Sequence, residues 1–284
     1  MNLSLTHSLS AIHFLATLKG DLSVKLLYSN KITSETSWVD SIKLLKKYIC
    51  DYFATNNYIL GNLNVTGISK NQKLLVDSCF VEEAFILADN RLCCYTQSID
   101  AFSNPNAYVN IQALNWISQI LVDIKLSYNN KLVDFLELYC GCGNHTVVIA
   151  PYVNKLLAIE ISPVLVDAAN NNLLLNNITN VKIICGDSKK LTQKILRKVT
   201  FTYELVSYNF QIVLVDPPRC GLDDITRELI GKYDYIIYIS CSPESLQRDL
   251  RILKSTHSIV KLAFFDQFAY TPHIETGVVL KKLN

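Results

Sequence analysis

The chain has 284 residues, half of them hydrophobic and 18% charged, with a formal net charge of +2. That length buries a full core in one large or two modest domains, and the composition excludes a disordered tail. The near-neutral balance excludes a large basic coat, so any contact with nucleic acid must come from a local patch or from shape.

Residues 1–100 predict a small mixed α/β region. Ala11–Leu18 and Leu22–Tyr28 flank Lys19-Gly20-Asp21 as a hairpin around a glycine turn. Trp38–Phe53 carries Trp38, Ile42, Leu45 and Ile49 at helical spacing and predicts an amphipathic helix. Shorter strands are expected at Tyr58–Ile68, Lys73–Val76 and Arg91–Tyr95. Phe102-Ser103-Asn104-Pro105-Asn106 then leads into an amphipathic helix from Ala107 to about Val122.

Within residues 101–284 the rhythm changes. Strand-like runs at Leu132–Leu138, Lys155–Ile159, Val181–Cys185, Gln211–Val215, Tyr235–Ser240, Ile259–Phe265 and Gly277–Leu280 alternate with helical segments. The helices are expected at His145–Tyr152, Pro163–Asn176, Leu191–Lys198, Ile225–Lys232 and Pro243–Leu253. Such alternation predicts βαβ units, a parallel sheet covered on both faces, and ligands beyond the carboxyl ends of the strands. The last two runs lack an intervening helix and predict a closing hairpin. The asparagine-rich stretch Asn170–Asn177 reads as biased composition on a helix surface.

Nine scattered cysteines, odd in number and without Cys-x-x-Cys spacing or a secretory leader, predict reduced thiols in a cytoplasmic protein. Neither a metal site nor a membrane segment is expected: Ala11–Leu18 is too short to span a bilayer. His145 and His273 lack a second ligand at metal spacing and are expected to pack or face solvent; His7, His13 and His257 carry no signal.

Three motifs stand on strand ends. Glu137-Leu138-Tyr139-Cys140-Gly141-Cys142-Gly143-Asn144 is a glycine turn between strand and helix, and Glu160 ends the next strand, 19 residues after Gly141, where it can accept from both hydroxyls of a ribose. This pattern serves nicotinamide cofactors and S-adenosylmethionine alike; the missing third glycine leans towards the methyl donor. Asp187, after the third strand, is placed either to meet an adenine amino group or as an ordinary loop residue. Asp216-Pro217-Pro218-Arg219 closes the fourth strand, its prolines fixing the backbone. Cys241 closes the fifth, ahead of the N-cap Ser242 and the first-turn Pro243. A helix N-terminus favours the thiolate, so the Cys241 thiol is expected below its ordinary range.

These segments, with Phe264-Phe265-Asp266-Gln267-Phe268-Ala269-Tyr270-Thr271 and Glu275-Thr276-Gly277-Val278, resemble the RNA uracil-5-methyltransferases, most closely the bacterial tRNA (uracil-54-C5) type. The likeness runs from about residue 11 to the C-terminus. It implies a Rossmann-like, seven-stranded S-adenosylmethionine-dependent domain preceded by a small RNA-facing region. By that resemblance Cys241 is the nucleophile and Glu275 the base. Asn104, Tyr139, Gly141, Asn144, Glu160 and Asp216 would hold S-adenosylmethionine, and Arg219 would stabilise charge on the uracil oxygen. The substrate would be the T arm of tRNA, the enzyme a monomer, and the base flipped out with aromatics such as Tyr270 or Phe268 in support.

The chain departs from the family at Asn104, where a glutamine is usual, and at Ser242, Pro272 and Thr276, which replace asparagine, histidine and cysteine. Family members also carry a sizeable stretch ahead of the Ala11 hairpin without a counterpart here, implying a shortened RNA-recognition part. The ribosomal-RNA relatives add a barrel or an iron–sulfur cluster that has no counterpart either. Two readings compete. A nicotinamide-dependent oxidoreductase leaves Cys241 and Glu275 without a role, while a weakly active or inactive RNA-binding paralogue would bind tRNA without methylating it. Uridine in ribosomal RNA or tmRNA stands as an alternative substrate.

Overall fold

The computed structural model describes residues 3–197 and 208–283. The chain divides into two compact units, Met1–Phe85 with Cys94–Ser103, and Ile86–Cys93 with Asn104–Asn284. Lys198, the end of one expected helix, lies outside the described residues.

The first unit opens with a short helix α1 (Leu3–Thr6) and builds the four-stranded sheet β1 (Leu9–Ala16), β2 (Leu22–Tyr28), β3 (Leu63–Ser69) and β4 (Gln72–Leu75). β1 and β2 form the expected hairpin; β2 and β3 run parallel, joined through helix α2 (Glu35–Thr55). Ser34 caps α2 by accepting from the Ser37 N–H. The helix buries Trp38 and Ile42 on Val24, Leu26 and Val65, and the Trp38 indole donates to the Tyr28 hydroxyl at 2.9 Å. A strand that the sequence pattern conceals, β5 (Phe80–Ile86), pairs with β6 (Leu92–Ser98) as a two-stranded ribbon. Its inward positions are Val81, Glu83 and Phe85. The carboxylate in the middle breaks the apolar alternation by which strands are recognised. Glu83 accepts from the backbone of Leu18 and Ala84, and burial raises its pKa.

The second unit is a seven-stranded sheet of β7 (Asp134–Leu138), β8 (Leu156–Glu160), β9 (Val181–Cys185), β10 (Phe210–Val215), β11 (Tyr235–Ser240), β12 (His257–Phe265) and β13 (Glu275–Lys282). Their order is β12-β13-β11-β10-β7-β8-β9, with β7 to β11 parallel to one another and β13 antiparallel to both β11 and β12. The helices are α3 (Ala107–Ser127), α4 (Asn144–Ile149), α5 (Pro163–Leu175), α6 (Ser188–Leu196), α7 (Asp224–Ile230) and α8 (Pro243–Leu253).

Alternate residues of the parallel strands build two cores. Leu136, Leu138, Val213, Val215, Ile236 and Tyr238 pack on one face with Leu229 of α7 and Leu246 of α8. Phe135, Ile212, Leu214, Ile237 and Val279 pack on the other with Ile117, Ile120 and Ile124 of α3. Strands buried on both faces read as continuous apolar runs, which is why the sequence marks them well. The order reverses between β7 and β10, so their carboxyl ends open a crevice. The closing hairpin does more than cap the sheet: β13 inserts between β11 and β12.

Candidate active site

Five loops leave the carboxyl edge of the parallel strands and carry most of the predicted residues; Asn104 stands ahead of α3 and Glu275 opens β13. After β7 the chain enters Tyr139–Gly143 with positive φ at Tyr139 (65°), Gly141 (56°) and Gly143 (82°). A side chain added to Gly141 would meet nothing within 4 Å, so the loop backbone faces open space. The turn is held from below by Glu160, whose carboxylate accepts from the Gly141 N–H at 3.0 Å and the Ser162 N–H at 2.8 Å. Asn172 of α5 donates to the Cys142 carbonyl at 2.9 Å. Asn172 is fully buried while Asn170, Asn171 and Asn177 are exposed, so the reading of the stretch as surface composition fails at this position.

Asn104 and Asn144 are joined through a residue that sequence reading missed. Asn110, on the buried side of α3, accepts from the Asn104 amide at 2.8 Å and exchanges hydrogen bonds with Asn144 at 3.0 Å. The signal was an asparagine on an otherwise apolar helical face. Tyr139 has Thr226 of α7 as a neighbour, and its hydroxyl pKa is pushed up to about 12, chiefly by burial. Asp187 is the N-cap of α6, accepting from the Lys190 N–H at 2.9 Å.

Cys241 and Glu275 come together through register. Ser240, the last residue of β11, pairs with Thr276 near the start of antiparallel β13. One step further on the two chains stand Cys241 and Glu275. The Ser240 hydroxyl bonds both the carbonyl and the N–H of Ser242, bracketing the turn that carries the thiol. Ser242 then caps α8 through the Ser245 N–H, with Pro243 in the first turn, as expected.

The electrostatics differ from expectation. Burial pushes the Cys241 thiol up, and the carboxylates of Asp216 and Glu275 add to this; its own backbone N–H and Arg219 pull the other way but do not win. The helix terminus therefore does not leave the free thiol acidic. Asp216 keeps an exposed edge, yet protein surrounds its carboxyl; burial first, then Glu275 and Glu137, raise it well above the usual range. Burial raises Glu275 as well. Arg219 is exposed and lies 3.3 Å from the His273 ring, which ties the Asp-Pro-Pro-Arg segment to the loop before β13.

Glu137, on β7, was quoted in the motif without a role. It is fully buried, accepts from the Thr146 hydroxyl at 2.7 Å, and has its second oxygen unpaired; burial raises it to about 8. His145 is a packing residue, lowered to about 4 by burial. Among the described residues no group of three His, Cys, Asp or Glu side chains gathers to hold a metal, and no helix is long and apolar enough to cross a membrane.

The sequence profile of the family described as tRNA (Uracil-5-)-methyltransferase matches residues 1–283. The chain belongs to this family. The uracil-5-methyltransferase from Nitratiruptor sp., called a tRNA/tmRNA (uracil-C(5))-methyltransferase, is 36% identical over 98% of this chain and 72% of its own length. The protein of the same description from Pseudoalteromonas atlantica is 38% identical over 98% and 72%. The chain thus spans about seven-tenths of these relatives. A tRNA (uracil-54, C5)-methyltransferase from Pyrococcus abyssi, solved in complex with S-adenosyl-L-homocysteine, superposes with a TM-score of 0.65 at 17% identity, over 94% of this chain and 58% of that one. At that identity the likeness speaks for the fold: the large, mostly parallel sheet is the Rossmann-like one of S-adenosylmethionine-dependent methyltransferases. Membership of the uracil-5-methyltransferases bears out the resemblance read from the motifs, and with it an enzyme class that draws on S-adenosylmethionine.

Proposed function

We propose that this chain is the cytoplasmic, monomeric enzyme that methylates C5 of uridine 54 in the T arm of tRNA, through a covalent adduct between Cys241 and C6. The observation that carries it is the register of β13, which sets Glu275 beside Cys241 at the carboxyl edge where Asp216 and Arg219 also stand.

The residues around the glycine loop fit the methyl donor. Open space faces Gly141, and each Glu160 oxygen keeps a second lone pair for a ribose hydroxyl after accepting its backbone N–H. Asn104, Tyr139, Asn144 and Asp216 surround the same loop and would complete the hold. S-adenosylmethionine, when bound, supplies an electrophilic methyl group.

Uracil C5 is too poor a nucleophile to accept that methyl unaided. The Cys241 thiol gives up its proton to water, the thiolate sulfur bonds to C6, and the C5–C6 π electrons move through C5 onto O4, giving an enolate nucleophilic at C5. Arg219 offsets the charge on the oxygen. Once C5 carries the methyl group, Glu275 takes the C5 proton; the electrons re-form C5=C6 and expel the Cys241 sulfur. A carboxylate raised by burial is a stronger base for that step than one in water.

Labelled donor and unmodified tRNA should give 5-methyluridine that maps to the T loop; the name borne by the relatives makes tmRNA the second RNA to assay. RNA containing 5-fluorouracil should trap the wild-type protein through Cys241, and Glu275→Gln should accumulate a covalent complex with ordinary tRNA. A Cys241→Ala protein that still methylates would end the proposal.

A further inference from the structure

Nine non-glycine residues among those described have positive φ, and six of them are asparagine, the side chain that tolerates this conformation best. Where backbone geometry alone decides, this chain therefore uses asparagine. The two aromatic exceptions are Tyr139, packed in the glycine loop against the core, and Tyr270.

Tyr270 has φ of 64° and occupies the third position of a tight turn, Phe268–Thr271. The turn is closed by the Thr271 N–H, 3.1 Å from the Phe268 carbonyl, and by the Thr271 hydroxyl, which donates to the same oxygen at 2.6 Å. A positive φ at the third position ordinarily selects glycine or asparagine. Here a large ring occupies it at 107% relative exposure, so it gains no packing that would offset the backbone strain. Strain without a compensating contact points to a partner outside the chain.

The turn belongs to the loop between β12 and β13. Three residues beyond Tyr270, His273 meets Arg219 at 3.3 Å and lies edge-on to the Phe268 ring at 6.1 Å; five beyond stands Glu275. Phe268 is partly buried against this histidine, so its ring is already used within the loop. Only Tyr270 presents an unoccupied aromatic face there.

We propose that the Tyr270 ring is a stacking platform for an unstacked base of the RNA, on the loop that delivers Glu275. This rests on the reading of an RNA substrate. Every base has a π-face, so stacking holds the splayed strand without reading its sequence.

The test uses the whole chain and unmodified tRNA. Tyr270→Asn should weaken tRNA binding about ten-fold and leave the affinity for S-adenosylhomocysteine and the salt slope of RNA binding unchanged. The same substitution should raise the thermal midpoint of the free protein by about 1–3 °C, because asparagine suits the turn. Tyr270→Phe should bind tRNA as the wild type does. Wild-type affinity in Tyr270→Asn overturns the inference, as does loss in Tyr270→Phe equal to that in Tyr270→Asn. A wild-type protein that binds tRNA through Tyr270 but transfers no methyl would sink the proposed activity alone. Methylation indifferent to Tyr270 would sink the platform alone.

Discussion

At the scale of single residues the free protein holds the proposed nucleophile in check. Cys241 faces two carboxylates and one guanidinium, and with burial the negative side prevails. The sign follows for each neighbour. Alkylation of Cys241 in the free protein, followed by mass spectrometry of its own peptide, should rise with pH and reach half-maximum above the ordinary thiol range. Asp216→Asn removes a negative charge and should move that midpoint down. Arg219→Ala removes a positive side chain that faces the thiol and should move it up. Equal midpoints in all three proteins would show that these groups do not share a pocket with the thiol.

At the scale of elements, the loop bearing Arg219 is clamped to the helix that starts after Cys241. Asp249, fully buried on α8, accepts from the Leu222 N–H at 2.9 Å, the Tyr238 hydroxyl at 2.8 Å and Arg227 at 2.7 Å. Arg248 adds a hydrogen bond to the Cys220 carbonyl at 2.9 Å. Gly221, with φ of 73°, allows this approach, since a Cβ there would stand 2.6 Å from the Arg248 guanidinium. Asp249→Asn replaces an acceptor for several donors with a group that must turn an N–H₂ towards some of them. It should destabilise the protein by about 2–4 kcal/mol in urea denaturation, and slow trapping by 5-fluorouracil RNA more than it weakens S-adenosylhomocysteine binding. Equal stability would leave the clamp without weight. Neither this clamp nor the partners of Asn110 were legible in the sequence: a lone Asp in a helical pattern reads as a solvated face, and an Asn on an apolar face marks burial without naming what it bonds. α8 was legible to the residue because its signals are local: Ser242 caps it and Pro243 opens it. The strand-end positions of Asp216 and Cys241 were legible for the same reason. Their meeting with Glu275 was not, since it depends on where β13 inserts, a non-local pairing that no window of sequence contains.

For the molecule as a whole, stability against pH is shaped by groups that folding strips of water. His145, lowered to about 4 by burial, contributes stability present above its unfolded value of about 6.5 and lost as pH falls through 4. Glu137, raised to about 8, works in the opposite sense: its contribution is complete below the unfolded value of about 4.3 and is lost as pH rises through 8. Between those unfolded values the two slopes oppose each other; above pH 6.5 the Glu137 slope stands without that opposition. Asp216 and Glu275, also raised, add to the alkaline decline. Glu137→Gln separates one contributor from the rest. Its side-chain oxygen still accepts from Thr146, and it has no proton to lose. The difference in unfolding free energy, variant minus wild type, should be small at pH 5 and grow by on the order of 2 kcal/mol in favour of the variant between pH 6 and 8. Urea denaturation at a series of pH values measures it, and taking the difference cancels every titrating group that does not feel Glu137; Asp216, which Glu137 raises, is an exception. A difference that stays flat would mean that Glu137 is ionised in the folded protein at neutral pH, and its unpaired oxygen would then require a cation or a donor that the fold itself does not supply.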